Sequence, residues 1–176
     1  MAGRGTVQLR GGEDVILRVE NLVQEFPVGR NRVVHAVSDV SFDLRKGETL
    51  GIVGESGCGK TTACHALFRL LPAGGEVVGG SIEFDGQDLM GLSPQEMRQI
   101  RGRDMAMILQ DPMASLNPLF SIFDQVAEPA YYHQQLRRSR LKERVRQLLA
   151  SVRIPSPEVR MREYPHQMSG GMRQRI

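Results

Sequence analysis

Gly54-Glu55-Ser56-Gly57-Cys58-Gly59-Lys60-Thr61 fits the pattern G-x-x-x-x-G-K-[ST]. Its surroundings fit as well. The short apolar run from Thr49 to Val53 (TLGIV) precedes it, and a helix-like stretch, TTACHALFRLL, follows. In such a loop the glycines let the backbone curl until successive N–H groups converge on phosphate oxygens, and the following helix adds its positive end. Lys60 then places a point charge at the β- and γ-phosphates, and the Thr61 hydroxyl completes a shell around Mg²⁺. Accident produces a match of this kind on the order of a few times in a thousand such chains. A bare strand-to-helix turn requires neither the Lys nor the Thr, so a phosphate-binding loop in an α/β fold is the reading.

Working outward, TLGIV has the unbroken apolar character of a strand buried on both faces in a parallel sheet, and Met105 to Leu109 (MAMIL) is a second such run. Upstream, Val15 to Leu22 (VILRVENL) is rich in β-branched residues, and the breaker Pro27 and the GRNR stretch follow it. Val40, Phe42 and Leu44 alternate with polar residues before Lys46-Gly47, which predicts a second strand antiparallel to the first. After Pro72 the stretch AGGEVVGG reads as a flexible connector, and Ser81 to Phe84 with the Asp85-Gly86 turn as an edge hairpin. Ser93-Pro94-Gln95-Glu96 combines an N-cap serine, a proline starter and a glutamate three residues on, which is a capping box. Leu141, Val145, Leu148, Leu149 and Val152 form one stripe of an amphipathic helix. Tyr131 and Tyr132 are expected to pack within this helical half.

The 176 residues have room for one compact domain or the front part of a larger one. No stretch is apolar enough for a membrane span, and no apolar run backs the N-terminal charges, so a cytosolic chain is expected. Cys58 and Cys64 are expected as reduced thiols, and the histidines, His65 among them, are isolated, so no zinc site is expected. Net charge is +3, but residues 137–176 carry +8 and the preceding 136 carry −5. That asymmetry fits a nucleic-acid or lipid surface, or a solvated helix face with a partner-docking surface; aromatics are not interleaved, which favours the second.

Two further motifs narrow the class. Gln110 follows MAMIL and opens QDPMASLNP, an ordered loop by its two prolines. Ser169-Gly170-Gly171 precedes MRQRI, a helix start and so a second anion-facing helix end. With these in place, the chain from about Val15 onward resembles the ATP-binding subunits of ATP-binding cassette (ABC) transporters. GESGCGKT, QDPMASLNP and YPHQMSGGMRQR are most like the oligopeptide/dipeptide importer branch, in its D-type subunit.

The resemblance implies a P-loop nucleoside triphosphatase fold with an N-terminal antiparallel β subdomain and a helical subdomain. The expected division is a tail at 1–12, a β-layer at 13–48 and 76–90, a P-loop core at 49–71 and 105–110, and a helical subdomain with the signature loop at 117–176. It further implies a Walker A loop of Gly54, Glu55, Ser56, Gly57, Cys58, Gly59, Lys60, Thr61 and Thr62 that holds ATP. Gln110 is then the Q-loop residue, meeting Mg²⁺ together with Thr61 or the attacking water. Ser169, Gly170, Gly171 and Met172 form the signature loop that binds the γ-phosphate of ATP held by the opposite subunit. Phe26 lies where the family places an aromatic on adenine. The implied cofactors are ATP and Mg²⁺. The implied partners are a second ATP-binding subunit, copy or paralogue, and transmembrane permease subunits, with a solute-binding protein acting indirectly; nucleic acid is not expected. The implied location is the cytoplasmic face of the membrane, with ATP hydrolysis driving uptake of peptides or similar small solutes.

Departures from the family pattern sharpen the expectations. Met168 and Met172 replace the ends of LSGGQ, a subfamily trait, and Ala114 stands where Thr is more familiar. The apolar strand that bears the Walker B Asp and the catalytic Glu after the signature helix, the D-loop and the switch His have no counterpart in these residues. Asp111 is followed by Pro112, and Asp85 by a turn glycine, so neither takes the role of general base. The expectation is therefore a cassette that lacks the C-terminal part of its core, binds ATP and hydrolyses it poorly. TLGIV and MAMIL are expected to have unpaired edges and the isolated chain to be aggregation-prone. Two alternatives stand beside this: a soluble ABC-type ATPase acting on nucleic acid or the ribosome, and a non-catalytic, shortened interaction subunit. Whether the reading frame continues past Ile176 separates the latter from a partial sequence.

Overall fold

β-branched and apolar residues alternating with charges favour an extended chain with one buried face. The computed structural model describes residues 5–6, 9–29, 32–109 and 115–176, and its contacts divide the chain into a first unit, Met1–Met97, and a second, Arg98–Ile176.

The first unit holds β1 (Gly5–Thr6), β2 (Val15–Val28), β3 (Arg32–Arg45), α1 (Lys60–Leu67), β4 (Glu76–Phe84) and β5 (Gln87–Asp88). The sheet order is β1-β3-β2-β4-β5, with β2 antiparallel to both β3 and β4. The predicted antiparallel layer is thus present, and the hairpin at Asp85-Gly86 joins β4 to β5 with both turn residues at positive φ. Leu17, Val19 and then Leu22 are buried, so the inward positions change parity across Glu20-Asn21. A bulge absorbs the change: Asn21 takes φ 49, donates its N–H to Ser41 Oγ at 2.8 Å and its Nδ2 to Asp39 Oδ1 at 2.7 Å. With Val37, Phe42, Ile82 and Leu89, and with Ala63, Ala66 and Leu67 of α1, these side chains form the unit's core.

An arginine fastens the start of the described chain to this layer. Arg10 donates from Nε to Asp43 Oδ1 at 2.7 Å and from its two terminal nitrogens to Glu48 at 2.9 and 2.8 Å. The Arg10 guanidinium, with the Arg45 N–H, pulls the Glu48 carboxyl down from 4.5 to about 2, and Arg10 likewise lowers Asp43.

Two boundaries differ from expectation. β2 continues through Pro27, which pairs with Val33. Pairing with β4 has ended at Glu25, so Pro27 lies in a two-stranded ribbon, where a proline is tolerated. Residues 76–80 of the predicted connector belong to β4, because β2 is long enough to pair them: Gln24 lies opposite Val77 and Glu25 opposite Glu76.

The larger correction concerns TLGIV and MAMIL. Neither run forms a strand. Val53 is 92% exposed and Ile108 95%; only Met105 is buried, through an isolated bridge to Arg101. A strand of this type is held by neighbours on both sides, and among the described residues no strand pairs with either run.

α2 (Pro94–Ile100) starts at the predicted capping box: Ser93 N–H donates to Glu96 Oε2 at 2.7 Å and Glu96 N–H to Ser93 Oγ at 3.3 Å. The second unit is helical, with α3 (Ile122–Gln134), α4 (Arg138–Ser151), α5 (Pro157–Arg160), a 3₁₀ turn at Pro165–Gln167 and α6 (Gly170–Arg175). The predicted α4 stripe buries Leu141, Val145 and Leu149 against Ile122, Ala127 and Ala130 of α3, with Ile154, Met161 and Met168 completing the core. Ser121 caps α3, accepting from Asp124 N–H at 3.2 Å. The N–H groups of Ile122 and Phe123 donate to the carbonyls of Glu163 and Met161, so the helix start is tied to the segment that leads into α6. Tyr131 and Tyr132 depart from expectation: they are 58% and 67% exposed and pack edge-to-face on each other, centroids 5.3 Å apart. α3 meets the α4 stripe through Ile122 and the small Ala127 and Ala130 instead.

Candidate functional site

The loop from Gly54 to Gly59 is irregular and exposed over most of its length, and it leads directly into α1 at Lys60. Gly59 is the N-cap at φ 96, and no side chain caps the helix. A Cβ at Gly59 would lie 2.2 Å from the carbonyl oxygen of Ala36 and 3.5 Å from Val37 Cγ2. Only glycine lets the loop rest on β3 in this way, and the first N–H groups of α1 have no side-chain cap. At the other end, a Cβ at Gly54 would lie 2.6 Å from Cys58 Sγ, so the absent side chain is what leaves room for the curl.

Lys60 folds back over its own loop. Its ammonium donates to the carbonyls of Gly54 at 2.9 Å and Glu55 at 2.7 Å and lies 3.6 Å from Cys58 Sγ. These carbonyls hold the side chain along the loop, beside the uncapped helix end. Thr61 is exposed and Thr62 half-buried in the first turn of α1. Glu55 and Ser56 are exposed, and both cysteines are free thiols. The residues present thus fit an oxyanion: a glycine cradle, an uncapped helix start, one ammonium and one exposed hydroxyl, with no carboxylate among the described residues bonded to the ammonium.

The other predicted site residues are placed as follows. Phe26 lies on β2, paired with Val34, and its ring occupies the space beside Gly75, where a Cβ would fall 2.5 Å from Cε1. Gln110, with Asp111 and Ala114, lies outside the described residues. Ser169 caps α6, accepting from Met172 N–H at 3.3 Å. A Cβ at Gly170 or Gly171 meets nothing within 4 Å, so no packing contact among the described residues demands glycine there. Arg175 clasps the carbonyls of Arg153 at 2.7 Å and Val152 at 3.3 Å, which fixes α6 on the end of α4. Sequence reasoning passed over two supporting positions: Ala36, whose carbonyl receives Gly59, and Gly75, which admits the Phe26 ring. The glycine pair after Pro72 was a visible signal for the second; nothing local marked the first.

The family model described as "ABC transporter" matches residues 37–176. Among curated proteins, the dipeptide transport ATP-binding protein DppD of Bacillus subtilis (strain 168) is 47% identical over 162 residues, covering 92% of this chain and 48% of DppD. The probable peptide ABC transporter ATP-binding protein y4tR of Sinorhizobium fredii (strain NBRC 101917 / NGR234) is 45% identical over 163 residues, with coverage of 92% and 48%. The glutathione import ATP-binding protein GsiA of Escherichia coli (strain K12) is 43% identical over 171 residues, covering 92% of this chain and 27% of GsiA. The chain therefore spans about half the length, or less, of these relatives. Of solved structures, the dimeric cassette MJ0796 superposes with a TM-score of 0.78 at 22% identity, covering 91% of this chain and 66% of that one. The dimeric post-hydrolysis state of MJ0796 bound to ADP and Pi gives 0.76 at 21%, with the same coverage. At that identity the likeness establishes the fold, which is that of an ABC cassette.

Proposed function

Because the chain belongs to the ABC transporter family, we propose that it binds Mg-ATP on residues 54–62 and serves as the energy-coupling subunit of an importer for peptides or similar small solutes. The observation that carries this reading is the glycine cradle beside the uncapped start of α1, with the Lys60 ammonium held along it. In this reading the N–H groups of the loop and of the first turn of α1 hold the β-phosphate. Lys60 exchanges its loop carbonyls for phosphate oxygens, and Thr61 supplies a hydroxyl to Mg²⁺ with Gln110. Bound Mg²⁺ neutralises the charge that develops on the transferred phosphoryl group. Phe26 offers a ring to the adenine.

Ser169 to Met172 act on the nucleotide of a second subunit. The two glycines there, free of any packing duty, let a phosphate approach the backbone closely. The relatives' names support the solute class: they speak of peptide, dipeptide and glutathione. Permease subunits and a second ATP-binding subunit are the partners this role requires, at the cytoplasmic face of the membrane; no helix among the described residues is long and apolar enough to cross it. Since Asp111 is followed by Pro112 and Asp85 by a turn glycine, neither serves as general base in this reading, and these residues bind ATP and turn it over poorly.

Isothermal titration with Mg-ATP tests the reading. Lys60→Ala removes charge-assisted hydrogen bonds worth about 1.5–3 kcal/mol, so affinity falls roughly ten- to a hundred-fold. Equal heats for both proteins overturn it, and Lys60-dependent steady turnover by the chain overturns the statement on hydrolysis.

A further inference from the structure

Among the described residues three polar ones are buried, all in the first unit: Gln24, Ser41 and Asp43. Two of them are satisfied. Ser41 Oγ accepts from Asn21 N–H at 2.8 Å, and Asp43 Oδ1 accepts from Arg10 Nε at 2.7 Å. Gln24 is different: it is 0% exposed, and neither its Oε1 nor its Nε2 has a hydrogen-bond partner among the described residues. A buried amide without a partner lowers stability, and an apolar side chain of the same length removes that cost.

The backbone around Gln24 is as unusual as its side chain. β2 loses register with β3 on both sides of it, between Leu22 and Gln24 and again between Gln24 and Glu25, and with β4 between Val23 and Gln24. Bulges of this kind re-aim a side chain and are frequent beside active sites. Opposite Gln24 stand Val37 on β3 and Val77 on β4. Val37 is 3% exposed, and the phosphate loop rests against it, with Cγ2 lying 3.5 Å from where a Cβ at Gly59 would stand. Opposed residues of an antiparallel pair share a face, with Cβ atoms about 4.5–5.5 Å apart, which puts the buried Gln24 amide in the layer beneath the loop. Two positions further along β2 comes Phe26, the ring offered to the adenine.

We propose that Gln24 is a positioning residue of the nucleotide site: its amide hydrogen-bonds the backbone of the phosphate loop around Gly59 when a triphosphate draws that loop into its binding geometry. The inference rests on the nucleotide reading and deepens it. While the Lys60 ammonium is held by the carbonyls of Gly54 and Glu55, the amide stays unpaired. When the ammonium turns to phosphate oxygens the loop shifts, and an amide, which both donates and accepts, takes up the backbone group that the shift presents. The stability lost to the unpaired amide is recovered on binding, so the bound loop geometry is favoured. A neutral side chain does this without the far larger cost of a buried charge.

The experiment pairs thermal unfolding of the whole chain with isothermal titration. Gln24→Met keeps the length of the side chain and removes the amide. Its melting temperature before nucleotide is added rises by about 2–4 °C, while affinity for Mg-ATP and for Mg-GTP falls alike, by about three- to ten-fold. Packing alone does not give opposite signs in the two readouts: Val19→Ala, a cavity in the same strand, lowers the melting temperature and leaves the affinity of the folded protein within about two-fold. Gln24→Leu repeats the measurement and decides if the Met protein does not fold. Affinity of the folded variant within about two-fold of the wild type, or melting temperature and affinity that fall together, overturns the proposal. So does a loss confined to Mg-ATP, which would make the amide a reader of the base. Absence of Mg-ATP binding by the wild-type chain overturns the nucleotide reading, and this inference with it.

Discussion

The phosphate loop and the start of α6 are both glycine-bearing helix entrances, and the fold treats them in opposite ways. Gly59 is wedged against β3, with the Ala36 carbonyl where a side chain would be, and its backbone takes a left-handed φ. A side chain at Gly170 or Gly171 would meet nothing within 4 Å among the described residues, and both lie within α6. The units around them differ in the same sense. The first is built by long-range strand pairing, so its loop is positioned by a distant piece of chain. The second is built from helices around an apolar stripe, so its loop is positioned by the Ser169 cap and the Arg175 clasp close by. A site carried on paired strands is sensitive to single atoms beneath it, and one carried on a helix end depends on its unit's core as a whole.

The largest effect expected from this contrast is in the second unit. Leu149→Ala empties a position that is 1% exposed and costs about 2–5 kcal/mol; urea denaturation followed by circular dichroism measures it, and nucleotide affinity in the folded protein is retained. Loss of both together would show that the units do not behave as separate cores. Next in size, Gly59→Ala costs about 2 kcal/mol or more, since strain at positive φ adds to the clash with Ala36. It also abolishes Mg-ATP binding. Gly57→Ala, at φ 80 with no atom within 4 Å, costs only about 1 kcal/mol. Similar melting temperatures for the two variants would contradict the wedge.

The smallest effect concerns acid. The folded state holds the Glu48 carboxyl at about 2 against an ordinary 4.5, so its contribution is complete above pH 4.5 and is lost as pH falls toward 2. Asp43, lowered by the same arginine, adds in the same direction. Stability should therefore decline across that window, and Arg10→Met should flatten the decline; an unchanged slope in a pH series of urea midpoints would remove Arg10 as the cause.

The features that could be read in advance are those with a local cause. The capping box at Ser93, the Asp85-Gly86 turn, the helix start at Lys60 and the Leu141, Val145 and Leu149 part of the α4 stripe each depend on residues within a few positions of one another and form as read, whereas Val152 of that stripe lies past the helix end and is exposed. The misreadings share the opposite property. TLGIV and MAMIL have apolar content but no local instruction to pair, and the twin tyrosines of α3 stay exposed, packed edge-to-face on each other. Pro27 and the stretch from Glu76 to Gly80 become strand because β2 extends along them.

What the sequence determined by itself was chemistry: a glycine-rich loop, an ammonium, a hydroxyl, and the order of motifs that points to a cassette. What only the tertiary structure decided was placement. It set Gly59 on the Ala36 carbonyl, left open space where side chains at Gly170 and Gly171 would stand, and gathered Arg138, Lys142 and Arg162 around one groove. The reason is that backbone preference and side-chain chemistry act over one or two turns of chain, whereas packing joins residues far apart in sequence, whose proximity no short segment encodes.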